Sequence, residues 1–232
     1  TSPTGNRLWG VTFGNNTFVA VGDSGNILRS TDNGSSFDNA TSPTANMLLA
    51  VGFGNNTFVA VGMSGNIVIS TDNGTTWDNA TSENTQQFEG ITFGNNTFVA
   101  SAQSGRIVRS TDNGSSFENV TSPTGERIYE VTFGNNTFVA VAGNGNILRS
   151  TDNGSTWDNA TSPTAYGLKG VTFGHNTFVA VGDNGTIVRS TDNGATWNIA
   201  YRSSRSFSEY DPFYGVTFGN NTFVASGWYG RG

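Results

Sequence analysis

Apolar and polar residues alternate in short bursts along this chain, and the bursts recur. From Leu8, LWGVTFG is followed by Asn15-Asn16, then TFVAVG, DSGN, ILRS, TDNG and SSFDNA. Brief alternating runs cut by Asn, Asp, Ser and Gly pairs have the period of strands joined by tight turns, not of helices. The order returns six times, read at Phe13, Phe53, Phe93, Phe133, Phe173 and Phe218; the first four steps are 40 residues and the last is 45. Four strands, A to D, in every ~40 residues is blade arithmetic for a β-propeller, because such a sheet cannot bury both faces alone and must stack on its neighbours.

The fold class expected is therefore all-β, a β-propeller of near-identical four-stranded antiparallel blades. One domain over residues 1–232 would hold blades at about 1–40, 41–80, 81–120, 121–160 and 161–205, with a partial blade at 206–232. A five-bladed ring and a longer array are the alternatives. In the sixth repeat only strands A and B can be read, so it is a two-stranded blade, a blade completed by a partner chain, or part of a longer array. An open edge on its second strand predicts a homo-oligomer formed through that incomplete blade.

Composition supports this picture. The chain has 31 Gly and 12% charged residues, while 17 Phe, 5 Trp and 6 Tyr concentrate the apolar area in large side chains. A net charge of −6, with Lys169 the only lysine, leaves no basic stripe for phosphates, so nucleic acid is not an expected partner. No apolar run reaches the ~20 residues of a membrane span. Without cysteine the fold uses neither disulfides nor thiolate metal sites and tolerates either redox compartment. An extracellular or cell-surface location is the expectation. Repeated Asn-x-Ser/Thr triplets would be glycan acceptors in a eukaryotic secretory pathway, which points toward a bacterial, phage or synthetic origin.

The segment STDNGSSF, Ser30 to Phe37, resembles the Asp-box (S/T-x-D-x-G-x-T/S-W/F) of sialidase and BNR-repeat propellers. It recurs at Ser70–Trp77, Ser110–Phe117, Ser150–Trp157 and Ser190–Trp197. The resemblance implies a turn between strands C and D in which Asp32, Asp72, Asp112, Asp152 and Asp192 are structural. The carboxylate accepts hydrogen bonds from its own turn, the Gly supplies a permissive φ, and the aromatic plugs the layer between blades. No metal is expected, since the further ligands of a calcium loop are missing, and no cofactor is expected either.

Differences between repeats fall in two places. Before strand A, a large apolar anchor (Leu8, Leu48, Phe88, Ile128, Leu168, Phe213) is constant in type, and its neighbours change freely. The B–C turn varies too, at Asp23, Met63, Gln103, Gly143, Asp183 and Trp228. Because antiparallel strands alternate direction, these two clusters should share one face of the propeller, with the constant Asn-Asn and TDNG turns on the other. Variation on one side of a rigid scaffold suits a binding surface; the competing explanation is that turn chemistry merely fixes the constant turns. The candidate ligand-binding residues are Arg7, Trp9, Met47, Leu49, Gln87, Glu89, Arg127, Tyr129, Tyr166, Lys169, Tyr214, Trp228 and Tyr229.

The expected function is non-enzymatic recognition, with carbohydrate as the first expected ligand and a protein ligand as the alternative. Repeats this uniform also fit an interaction scaffold or an engineered propeller. A sialidase-like glycoside hydrolase is the third reading, but it needs arginines and acids that each occur once. Arg29, Arg109, Arg149 and Arg189 instead repeat at one strand-C position, expected to pair with nearby Asp and Glu. His175 replaces an Asn in an A–B turn, and Tyr129, Glu130 and Glu89 are conceivable catalytic groups only by assumed proximity. The insertion at Tyr201–Phe213 is either a binding loop or a tolerated extension.

Overall fold

The structure is a computed structural model that describes residues 2–202 and 212–227. It is all-β and built of repeated antiparallel sheets of β-propeller type. Strand A is Leu8–Gly14, Leu48–Gly54, Phe88–Gly94, Ile128–Gly134, Leu168–Gly174 and Phe213–Gly219. Strand B is Thr17–Gly22, Thr57–Gly62, Thr97–Ala102, Thr137–Ala142, Thr177–Gly182 and Thr222–Gly227. Strand C follows in the first five repeats, at Ile27–Ser30, Ile67–Ser70, Ile107–Ser110, Ile147–Ser150 and Thr186–Ser190. Strand D is short: Asp38–Ala40, Asp78–Asn79, Ser116–Val120, Asp158–Asn159 and Asn198–Tyr201. The described residues give the sixth repeat strands A and B.

The chain divides into two compact units, Thr1–Val120 with the first three blades and Thr121–Gly232 with the rest. In the first, Val19, Val21 and Ile27 of blade 1 pack on Leu48, Phe58, Val68 and Trp77 of blade 2. The equivalent faces of blades 2 and 3 join through Val59, Val61 and Ile67 against Phe88, Phe98, Val108 and Phe117. In the second unit, Val139, Val141 and Ile147 meet Leu168, Phe178, Val188 and Trp197. Each fully buried Phe or Leu contributes roughly 1.5–3 kcal/mol, so the stacked layers carry the stability that an isolated four-stranded sheet lacks. The Asp-turn aromatics Trp77, Phe117, Trp157 and Trp197 are 4–6% exposed, as the plug role requires.

Two devices lock successive blades. Gly14, Gly54, Gly134 and Gly174 end strand A where a Cβ would fall inside the ring of Phe53, Phe93, Phe173 or Phe218 on the following blade. In addition, the Asn73, Asn113 and Asn193 side-chain amides donate to Thr17, Thr57 and Thr137 Oγ1 of the preceding blade at 2.6 Å. The strand-C arginines need a correction. Arg29 and Arg149 donate through Nε to the backbone carbonyls of Asn73 and Asn193 at 2.8 Å, not to a carboxylate, because the next blade's turn lies against the guanidinium. Arg109 does pair with Glu118. Arg29 and Arg149 thus join successive blades, whereas the Arg109–Glu118 pair lies between two strands of one blade.

Candidate functional site

The two ends of each blade are built differently. At the A–B end, the loop pairs Asn15-Asn16, Asn55-Asn56, Asn95-Asn96, Asn135-Asn136, His175-Asn176 and Asn220-Asn221 all have positive φ. That is the backbone of a two-residue hairpin whose twist matches its strands, and Asn tolerates it best after Gly; His175 takes the same conformation.

The Asp turns share this end. Asp72 accepts from Ser70 Oγ at 2.8 Å, from the Thr76 N–H at 2.9 Å and from Thr76 Oγ1 at 2.6 Å, and Ser70 Oγ in turn accepts the Gly74 N–H at 2.9 Å. Although desolvation pulls the Asp72 carboxyl upward, those bonds outweigh it and hold it at about 2. The Thr196 hydroxyl and N–H do the same for Asp192, and the Ser36 N–H and hydroxyl for Asp32. All five carboxylates are spent on their own turns.

At the other end the variable positions stand on a constant backbone, and constant residues such as Asn26, Asn66 and Asn146 close the turns by donating their amides to the carbonyls of Asp23, Met63 and Gly143. In the first five blades the first N–H of the B–C turn donates to the carbonyl two residues before strand A's second residue: Asp23 to Arg7 (3.0 Å), Met63 to Met47 (2.9 Å), Gln103 to Gln87 (3.0 Å), Gly143 to Arg127 (3.0 Å) and Asp183 to Gly167 (2.9 Å). Each of these five B–C turns also contains a left-handed pair, such as Ser24 and Gly25, and a Cβ on Gly25, Gly65 or Gly145 would strike the carbonyl of Thr44, Asn84 or Thr164.

Strand A begins with a bulge in all six blades. Pairing jumps from Leu8↔Gly22 to Gly10↔Val21, so Trp9 is the extra residue of the bulge, and Leu49, Glu89, Tyr129, Lys169 and Tyr214 occupy the same place. A bulge re-aims the residue it extrudes. The sequence carried its signature: the apolar positions Leu8, Val11 and Phe13 are spaced three and then two apart, which breaks strict alternation.

Side chains on this frame differ from blade to blade. In the first unit Trp9 is half exposed and its indole N–H donates to Asp23 Oδ1 at 2.7 Å. Arg7 is exposed, Met47 and Leu49 are half-buried, and Gln87 donates to Glu89 at 3.0 Å.

The second unit holds the densest cluster. Lys169 Nζ lies 3.9 Å from the Tyr129 ring centroid, Arg127 Cζ lies 5.0 Å from it, and Lys169 reaches Asp183 at 3.6 Å. Arg202 sits 5.5 Å from the Tyr166 ring, and Tyr214 is half exposed. Trp228 and Tyr229, together with residues 203–211 of the insertion, lie outside the described residues.

Three residues of this surface were not among the candidate ligand-binding residues. Asp23 and Asp183 anchor the aromatic and cationic members, and only their place in the variable turn hinted at it. Glu130 stands where other blades have Gly10, Ala50, Gly90, Gly170 and Gly215. Its carboxylate accepts the Val171 N–H of the next blade at 3.4 Å, and burial raises it to about 7.

A groove of about 530 Å³ in the first unit, lined by residues such as Pro3, Gly25, Asn39, Pro43 and Thr44, contains no charged side chain. It therefore does not coincide with the variable chemistry. Among the described residues no three His, Asp or Glu converge as a metal ion would require.

Solved structures share the fold. The chain resembles YCF48 bound to D1 peptide (TM-score 0.73, 19% identity, 96% of this chain and 74% of that one). It is also similar to a catalytically inactive virginiamycin B lyase from Staphylococcus aureus with quinupristin (0.79, 17%, 97% and 85%). An ancestral GH74 enzyme aligns over 94% of this chain and 34% of its own (0.74, 18%). At these identities the likeness is one of fold, and it includes binders and enzymes alike. No curated protein matches the chain. The family model of the DUF6242 beta propeller domain matches residues 77–211, more than half of the sequence, and the chain belongs to that family.

Proposed function

We propose that the chain is a non-enzymatic recognition module that binds its ligand at the variable end of the blades. One observation carries the reading: each of the first five blades presents one bulged residue and one hydrogen-bonded turn on a constant backbone frame, and no two of them place the same pair of side chains there. A fixed frame with changing side chains supplies specificity without the entropic cost of ordering loops. The turns between strands C and D are Asp-boxes in this reading, devoted to scaffold.

A polypeptide is the ligand this surface favours. Its chemistry changes along the blades from Trp9 with Arg7, through Met47 and Leu49, to Gln87 with Glu89, which suits an asymmetric partner better than identical sugar pockets would. In the second unit Tyr129 and Tyr166 already carry cations on their rings, so a sugar would have to displace them before stacking. The structural likeness to a peptide-bound YCF48 agrees with this choice. Carbohydrate remains the second reading on the strength of Trp9, whose half-exposed ring is fixed by Asp23. The hydrolase reading lacks a paired acid: Glu130 has the raised pKa of a general acid, but it is wedged against the next blade's backbone.

The test is a peptide array and a glycan array, each probed with the parent protein and with the Arg127→Ala/Tyr129→Ala/Lys169→Ala variant. Peptide signals that fall at least ten-fold in the variant support the proposal. Signals equal in both would put the ligand elsewhere, and glycan-only binding would favour the second reading.

A further inference from the structure

We propose that blade 2 anchors a polypeptide ligand at the variable end of the first unit: Met47, Leu49 and Met63 receive one large apolar side chain from a segment rich in lysine and arginine. The assignment rests on the recognition reading and names the chemistry that this blade takes.

Each of the five complete blades sets three variable positions on its frame: the residue before the apolar anchor, the bulged residue after it and the first residue of the B–C turn. Only in blade 2 are all three apolar. The other four place at least one charge there: Arg7 and Asp23, Glu89, Arg127, or Lys169 and Asp183. The triplet includes both methionines of the protein. The Met63 N–H donates to the Met47 carbonyl at 2.9 Å, so the two stand on one piece of frame, and Leu49 is the extra residue of the adjoining bulge.

Packing does not account for them. Leu48, between Met47 and Leu49, is fully buried and joins blade 2 to blade 1 with Phe58 and Trp77, while Val59, Val61 and Ile67 join it to blade 3. No member of the triplet belongs to either joint. Met63 is 39% exposed, and Met47 and Leu49 are half-buried. Apolar side chains scattered singly over a surface need no explanation, but a group of them without a packing role marks a binding place. Methionine suits that use, because its unbranched, polarizable chain adapts to partners of different shape.

The surroundings select the partner. A Cβ on Gly10 would come within 3.0 Å of the Leu49 carbonyl oxygen, so the bulges of blades 1 and 2 lie side by side. A Cβ on Gly65 would strike the Asn84 carbonyl, which sets the linker bearing Glu83 against the Met63 turn. The adjoining frames carry Asp23, Glu83 and Glu89, with Arg7 and Arg106 as counter-charges. Residues 1–120 as a whole hold nine acidic residues to four arginines. A field of that sign draws in a basic segment and repels an anionic membrane, and a sugar has no large apolar side chain to offer the triplet.

The experiment selects binders from a random-peptide display library on the parent protein. The affinity of the enriched peptides is then measured for the parent, for Met47→Gln/Met63→Gln and for Arg127→Ala/Tyr129→Ala/Lys169→Ala. Blade 3 carries Gln87 and Gln103 at the same two places, so the glutamines fit the frame and the double variant should melt within a few degrees of the parent.

The enriched peptides are expected to share a large apolar residue beside Lys or Arg. They should bind Met47→Gln/Met63→Gln at least ten-fold more weakly than the parent, and replacing their apolar residue by Ser should cost a similar factor. Equal affinity for the parent and the methionine variant, with loss in the Arg127 variant, overturns the anchor and leaves the recognition reading standing. Enriched peptides that lack basic residues overturn the partner stated here. A library that yields no binder, or binders indifferent to both variants, overturns the recognition reading and the anchor with it.

Discussion

At one end of the blades the turns are repeated nearly side chain for side chain; at the other a constant frame carries positions whose side chains change from blade to blade. The Asn-Asn and Asp turns hold their shape with side-chain bonds, so a changed letter there removes a structural partner. At the variable positions the B–C turns and bulges use main-chain bonds, which are indifferent to what projects from them, while a separate residue such as Asn26 closes the turn by donating its amide to the Asp23 carbonyl at 2.8 Å. Freedom to vary is thus a consequence of which atoms make the turn, and substitutions at the two ends should differ in cost.

The largest difference is expected between two glycines. Gly54→Ala drives a methyl into the Phe93 ring, an overpacking that neither backbone nor ring can relieve, and should cost about 3 kcal/mol or more. Gly125→Ala, in a linker at the variable end with nothing within 4 Å, should stay within about 0.5 kcal/mol. Denaturant midpoints of the two variants would test the contrast; equal midpoints would sink it.

Next in size is Asp72→Ala, which leaves the Thr76 N–H and two hydroxyls without their acceptor and should cost about 2–3 kcal/mol. Its carboxyl is lowered to about 2 in the fold, so its contribution is complete above the ordinary value of 3.8 and is lost as pH falls toward 2. The parent should therefore lose stability over that window more steeply than Asp72→Ala does, as thermal unfolding at a series of acid pH values would show.

These contrasts also explain what could be read from the sequence. The fold was legible because each turn repeats a chemical signature, and five copies of Asn-Asn with one of His-Asn, together with five of Ser-Thr-Asp-Asn-Gly, leave little choice of strand order. The separation of constant from variable ends followed from strand direction alone. The side-chain pairings did not: Trp9 with Asp23, and Lys169 with both Tyr129 and Asp183, join segments that are remote in sequence. The partners of Arg29 and Arg149 were misjudged because a backbone carbonyl of the next blade leaves no trace in composition.

Glu130 tests the variable end from inside. An ordinary glutamate at 4.5 is raised here to about 7 by burial, so the folded chain keeps a proton that the unfolded chain has released between those values. The residue is neutral in its effect below about 4.5 and increasingly destabilising as pH rises to 7. The full shift corresponds to about 3 kcal/mol at most, and partial exposure of the side chain reduces the expected effect to about 1–2 kcal/mol. Glu130→Gln should accordingly be more stable than the parent at pH 8 and indistinguishable at pH 4.5. A gain that is the same at both would mean that packing, not ionisation, sets the effect.

The smallest effect on stability should accompany the largest effect on binding. Arg127→Ala, Tyr129→Ala and Lys169→Ala together remove a cation–π cluster and one ion pair of partial exposure, interactions worth about 0.5–1 kcal/mol each at such sites. The backbone bond from Gly143 to the residue 127 carbonyl survives the change, as does the bulge. The melting temperature should therefore fall by only a few degrees. If it collapses instead, these side chains are part of the scaffold after all, and the division of each blade into a structural end and a free end fails at the place where it matters most for recognition.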